Sequence, residues 1–172
     1  MALLSIITAP DPRLKVRSEA VDAVDDQVRR LLDDMLETMY DAPGIGLSAI
    51  QIGVPRRVVT VDVTEKEGER RPLYLVNPEI TWESDETALY DEGCLSLPDQ
   101  FAEIERPARV RVAHLDYDGQ AQELEADGLL ARCLQHELDH LDGVLLVDHL
   151  SAIKRGMILR KLIKARRQKA SA

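Results

Sequence analysis

The sequence predicts an α+β fold: antiparallel β-sheets packed around a central helix, with one helix before them and another at the C-terminus. Three observations carry this. Helical periodicity is confined to three segments, the stretches between the first two alternate as strands do, and those strands come grouped rather than interleaved with helices.

In the first helix Val28, Leu31, Leu32, Met35, Leu36 and Met39 recur at i, i+3, i+4 and i+7, and Pro43-Gly44 ends it. These side chains belong to the core. RVVTVDV at 57–63 and LYLVN at 73–77 then flank a polar loop, TEKEGERR. RVAHLD at 111–116 and AQELEA at 121–126 flank Tyr117-Asp118-Gly119-Gln120, whose Asp-Gly signals a hairpin. A second helix runs from about Leu129 to Leu141, with Gly143 as its stop. The third begins near Ser151, a suitable N-cap, and extends to about residue 169. Neither repeat, low-complexity tract nor linker divides the chain, so one domain over 1–172 is expected.

At 45 % apolar and 31 % charged residues the composition is globular rather than disordered, and 172 residues suffice for a substantial core. No apolar run approaches the roughly 20 residues that cross a bilayer. The opening MALLSIITAPDPRLK carries neither a basic leader nor a small-residue cleavage site, and two cysteines are too few for a disulfide framework. A cytoplasmic protein without a membrane or DNA partner is expected. The net charge of −9 is uneven, because eight basic and no acidic residues follow His149. Such a tail is either a solvated helix or a contact for an acidic surface such as nucleic acid.

The chemistry centres on His136-Glu137-Leu138-Asp139-His140, an HExxH on the second helix. A spacing of four puts both imidazoles on one helix face, where they can hold a single cation. Glu137 lies about 100° round the helix, placed to handle the proton of an activated water without being a ligand. A hydrolytic site also needs a third ligand and an open position. Cys133 shares the face but stands seven residues from His140, about 10.5 Å of rise, so it reads as a packed wall. In the longer HExxHxxGxxH pattern the last position is Leu146; His149 is out of register and His114 lies on a strand, so both read as structural. Cys94, in Glu92-Gly93-Cys94-Leu95-Ser96-Leu97-Pro98, sits in a segment able to pass close to the helix.

Three ordered stretches, Gly44-Ile45-Gly46-Leu47-Ser48-Ala49-Ile50-Gln51, Glu92-Gly93-Cys94-Leu95-Ser96 and Gln135-His136-Glu137-Leu138-Asp139-His140, resemble the motifs of bacterial peptide deformylases. Pro10-Asp11-Pro12-Arg13-Leu14 and the run from Glu123 to Leu130 are similar to that family too, so the resemblance covers nearly the whole chain. It implies removal of the N-formyl group from the initiator methionine of new polypeptides, with release of formate. It further implies that Cys94, His136 and His140 ligate one divalent metal ion, generally Fe²⁺, with Zn²⁺, Ni²⁺ or Co²⁺ able to replace it. Glu137 is then the general acid and base, and the Gln51 amide and Leu95 N–H steady the oxyanion. Ile45, Gly46, Glu92 and Gly93 border the substrate, and a pocket including Leu129 and Cys133 receives the methionine side chain. In the family the C-terminal helix is associated with the ribosome near the nascent-chain exit, which a basic tail suits.

The sequence departs from many members at Ser48, where Ala is common, at Phe101, where some carry Arg, and at Arg132, where some are apolar. Two rival readings are an HExxH zinc endopeptidase and a non-catalytic metal-binding module. Leu146 speaks against the three-histidine form of the first, and Glu137 with Gln51 against the second.

Overall fold

A computed structural model of the chain describes residues 2–171. Helix α1 (Asp26–Asp41) starts where the Asp25 carboxylate accepts from the Val28 N–H at 2.9 Å. Seven strands follow: β1 (Gly46–Ser48), β2 (Val58–Val61), β3 (Leu73–Glu83), β4 (Thr87–Cys94), β5 (Leu97–Pro107), β6 (Arg109–Leu115) and β7 (Ala121–Asp127). Helix α2 (Gly128–Leu141) comes next and helix α3 (Ala152–Ser171) ends the described chain.

Strands β1-β2-β3-β6-β7, in that order, make an antiparallel five-stranded sheet, and β4 and β5 pair as a separate ribbon. The large sheet lies between two helices. Val59, Val61, Leu75, Val110 and Val112 pack with Ala131, Leu134, Leu138 and Leu141 of α2. From the other face Val58 and Val76 pack with Val28, Leu32, Met35 and Met39 of α1. Buried on both faces, β2 shows no alternation of buried and exposed positions: Thr60 is buried like its three valines. The α+β class and the central place of the HExxH helix are as the sequence predicts.

The strands differ from the sequence reading in three respects. β1 is added, β3 continues to Glu83, and the whole β4–β5 ribbon lies where the sequence predicts no strand. Most of its residues are exposed or half-buried, so it lacks the apolar alternation by which strands announce themselves. Its pairing nevertheless fixes where Cys94 stands: the register shifts between Gly93 and Cys94, and Cys94 faces Leu97 across the ribbon's end.

Gly143, as expected, stops α2. Its φ of +74° and a site where a Cβ would lie 2.4 Å from the Lys15 carbonyl oxygen exclude other residues. A third apolar cluster joins Ile7, Leu14, Leu97, Leu145 and Val147 to Leu162 of α3. Ser151 Oγ accepts from the Lys154 N–H at 3.3 Å, as an N-cap does. Beyond Leu162 and the half-buried Ile158, Leu159 and Ile163, α3 is mostly exposed, including every one of its cations.

Candidate active site

Helix α2 carries His136, Glu137 and His140 inward, all buried, with His140 fully so. The end of β4 brings Cys94 to meet them. One ligand atom each from Cys94, His136 and His140 lie within 4.8 Å of one another, and Cys94 Sγ is 3.3 Å from His140 Nε2. Ligands at 2.0–2.3 Å from a shared tetrahedral cation stand about 3.5 Å apart, so the three fit such an ion with little adjustment. His114 and His149 stay outside the cluster. The first contacts its neighbour's carbonyl, Leu115 O, at 3.1 Å, and the second contacts Asp139 Oδ2 at 2.8 Å.

The donor chemistry suits a cation as well. His136 Nδ1 donates to Glu92 Oε1 at 3.1 Å, which leaves Nε2 as the nitrogen free to meet a cation. Glu92 is held in turn by Arg106, at 2.7 Å to Nε and 3.0 Å to Nη2, and Arg106 Nη1 reaches Asp139 at 2.9 Å. Burial alone would push the Glu92 carboxyl up, but the His136 ring and the Arg106 guanidinium outweigh it and hold it at about 2. Burial pushes His140 well below the ordinary imidazole value, whereas at His136 burial is outweighed by the Cys94 sulfur and the Glu92 and Glu137 carboxylates, which raise the ring well above it. A cation would take His136 by displacing a proton.

Glu137 lies beside the cluster. Burial raises its carboxyl above the usual range, partly offset by His136 and by the Ser48 hydroxyl. A Cβ on Gly46 would come within 2.7 Å of Glu137 Oε1 and 2.8 Å of Cys133 Sγ, so a glycine there lets strand β1 close onto the helix. Gln51 is buried beneath the site: its Oε1 accepts from the Ser48 N–H at 2.9 Å, and its Nε2 faces Ser96 Oγ at 3.1 Å and Cys94 Sγ at 3.8 Å. A cavity of about 710 Å³ opens over these groups, lined by Ile45, Gly46, Gly93, Leu95, Cys133 and Glu137 among others.

The structure thus gathers Cys94, His136, His140, Glu137, Gln51 and Leu95 in one place, with Ile45, Gly46, Gly93 and Cys133 at the cavity wall. Two expectations shift. Leu129 is not among the residues lining the cavity; it sits in the first turn of α2, 40 % exposed. Glu92 borders the cavity, but both its carboxylate oxygens are engaged, by Arg106 and by His136, so it holds the His136 ring rather than standing free in the cavity. Arg106 and Ser96 were not singled out from the sequence. Nothing local marks Arg106, which lies 14 residues from Glu92 and 33 from Asp139.

A family profile described as Polypeptide deformylase matches residues 3–156. The chain belongs to the polypeptide deformylase family. It is 56 % identical over 164 residues to the peptide deformylase of Phenylobacterium zucineum, covering 95 % of this chain and 97 % of that one. It is 55 % identical over 169 residues to that of Agrobacterium fabrum, covering 98 % and 99 %. The crystal structure of peptide deformylase from Ehrlichia chaffeensis superposes with a TM-score of 0.94 at 42 % identity, over 98 % of this chain and 99 % of that one. A complex of peptide deformylase from Ehrlichia chaffeensis with actinonin superposes with a TM-score of 0.93 at 45 % identity, over 97 % and 99 %. The polypeptide deformylase family is the one the three motifs resemble, and neither the endopeptidase reading nor the non-catalytic one is retained.

Proposed function

We propose that Cys94, His136 and His140 hold one divalent cation, and that Glu137 beside them is the general base and acid. The reaction is that of the family: the N-formyl group of a newly made polypeptide is hydrolysed and formate is released. The observation that carries the assignment is the meeting of one thiol and two imidazoles next to a buried carboxylate under an open cavity.

A divalent ion there supplies a Lewis acid and brings the pKa of water towards neutrality. Glu137 accepts the proton of the attacking water and returns it to the departing amine, so that the C–N bond breaks to leave a free N-terminus. The Gln51 amide and the Leu95 N–H donate to the oxyanion that forms on the formyl carbon. Ile45, Leu95 and Cys133 offer apolar wall to the methionine side chain. A thiolate with two imidazoles suits Fe²⁺ or Zn²⁺; Fe²⁺ is the proposed native ion, with Ni²⁺ or Co²⁺ as substitutes.

Residues 1–172 act as one catalytic unit in the cytoplasm, and no helix among the described residues is long and apolar enough to cross a membrane. The exposed cations of α3 serve to dock the enzyme on ribosomal RNA near the emerging chain. The deciding assay is formate release from formyl-Met-Ala-Ser by the metal-loaded protein. Glu137→Gln should keep the fold and the metal while activity falls at least the roughly 10²–10⁴-fold of one acid–base group. Near-normal turnover in that variant would refute the role.

A further inference from the structure

Ser48 is fully buried where β1 meets α2. Its hydroxyl oxygen lies 2.8 Å from Glu137 Oε2 and 2.8 Å from the main-chain carbonyl of the same residue. A hydroxyl has one proton to give, and both acceptors within reach belong to Glu137, so either bond ties that residue to the strand. The main-chain N–H of Ser48 donates to Gln51 Oε1 at 2.9 Å. Held by its oxygen, the amide turns its NH₂ the other way, towards Ser96 Oγ and Cys94 Sγ. One residue therefore sets the direction of two side chains assigned to the reaction. The second carboxylate oxygen, Oε1, lies against Gly46, where the missing Cβ leaves it room.

We infer that Ser48 is a positioning residue for deformylation. Its hydroxyl engages Oε2, so Oε1 is left as the oxygen that takes and returns the proton, while its N–H fixes which face of the Gln51 amide meets the oxyanion. The inference rests on the deformylase reading above. Its physical basis is that the last torsion of a glutamate is broad and nearly two-fold. A carboxylate without the serine bond spreads over orientations of which only some are in line for proton transfer, and orientation is a large part of a catalytic group's value. A purely structural tie between β1 and α2 would instead act on stability alone.

Ser48→Ala removes the hydroxyl, keeps the N–H and adds no bulk. Wild-type formate release comes first; its absence overturns the deformylase reading itself. With an active wild type, Ser48→Ala is expected to lower kcat about tenfold, the scale of one hydrogen bond to a charged group, while KM and metal stoichiometry stay unchanged. In a Glu137→Asp background, whose shorter side chain falls away from Ser48, the same substitution should have no further effect on kcat. An unchanged kcat in Ser48→Ala, a loss that tracks metal content, or an equal loss in the Glu137→Asp background each overturns the positioning role and leaves the deformylase reading standing.

Discussion

Cys94 and Cys133 stand at the same cavity wall but their sulfurs meet different partners. Cys94 Sγ faces His140 Nε2, whereas Cys133 Sγ lies 3.6 Å from the Ile45 carbonyl oxygen, and burial pushes its thiol well above the ordinary value. Cys94→Ala should therefore abolish activity and lower metal stoichiometry, measured by elemental analysis of the purified protein. Cys133→Ala should keep the metal and lose mainly packing, on the order of 1–2 kcal/mol. Full metal occupancy in the first with loss in the second would reverse the ligand assignment. Gly46 adds a steric test at the same spot. Gly46→Ala forces a Cβ against both Glu137 Oε1 and Cys133 Sγ, so kcat should fall steeply, and adding Cys133→Ala should restore only part of it, because one of the two collisions remains.

At the scale of elements, a buried guanidinium helps to join the ribbon β4–β5 to α2. Arg106 and Glu92 are 5 % and 3 % exposed, and Arg106 also bonds Asp139 on the helix. Removing one partner of a buried pair leaves the other uncompensated, at a cost of about 3–5 kcal/mol. Arg106→Ala should show that loss in urea unfolding, whereas Arg111→Ala, breaking an exposed pair with Glu125, should change stability by less than about 1 kcal/mol. The same ribbon shows what the sequence could and could not reveal. Helices α1 and α2 were legible because burial on one face repeats every three to four residues, as Val28, Leu32, Met35 and Met39 do. Strands β6 and β7 were legible from the Asp118-Gly119 turn between them, where Gly119 has φ +78°. The HExxH pair was legible because its spacing is a property of one helix. The rest depends on tertiary pairing: Cys94 and Arg106 reach α2 only through the register of an exposed ribbon, and a carboxylate that orients His136 looks in sequence like any acid beside a glycine.

At the scale of the whole molecule, the basic helix is both an exposed charge and part of the core. Asp148 anchors its approach, bonding Lys15, Arg155 at 3.2 Å and the Leu145 N–H at 2.8 Å. Burial pushes the Asp148 carboxyl up, but Lys15, the Leu145 N–H and Arg155 outweigh it and leave it below its ordinary 3.8. A folded value below the unfolded one means that its stabilisation is complete above 3.8 and is lost as pH falls through the folded value. Wild type should thus exceed Asp148→Asn in urea unfolding at neutral pH, with the gap closing in acid; a constant gap would deny the ion pairs their part. The proposed contact with ribosomal RNA calls for equal care over what is removed. Deleting α3 would uncover Leu14, Leu97 and Val147, which pack with Leu162, so a truncated chain would test folding as much as docking. Lys161, Lys164 and Arg167 are exposed and can be reversed to Glu without touching that cluster. Binding to phosphates through released counterions weakens steeply with salt. The triple reversal should reduce co-sedimentation with ribosomes, wild-type co-sedimentation should fall as salt rises, and turnover of formyl-Met-Ala-Ser should stay the same in both proteins. Equal co-sedimentation of the two would show these cations to be a solvated face and nothing more.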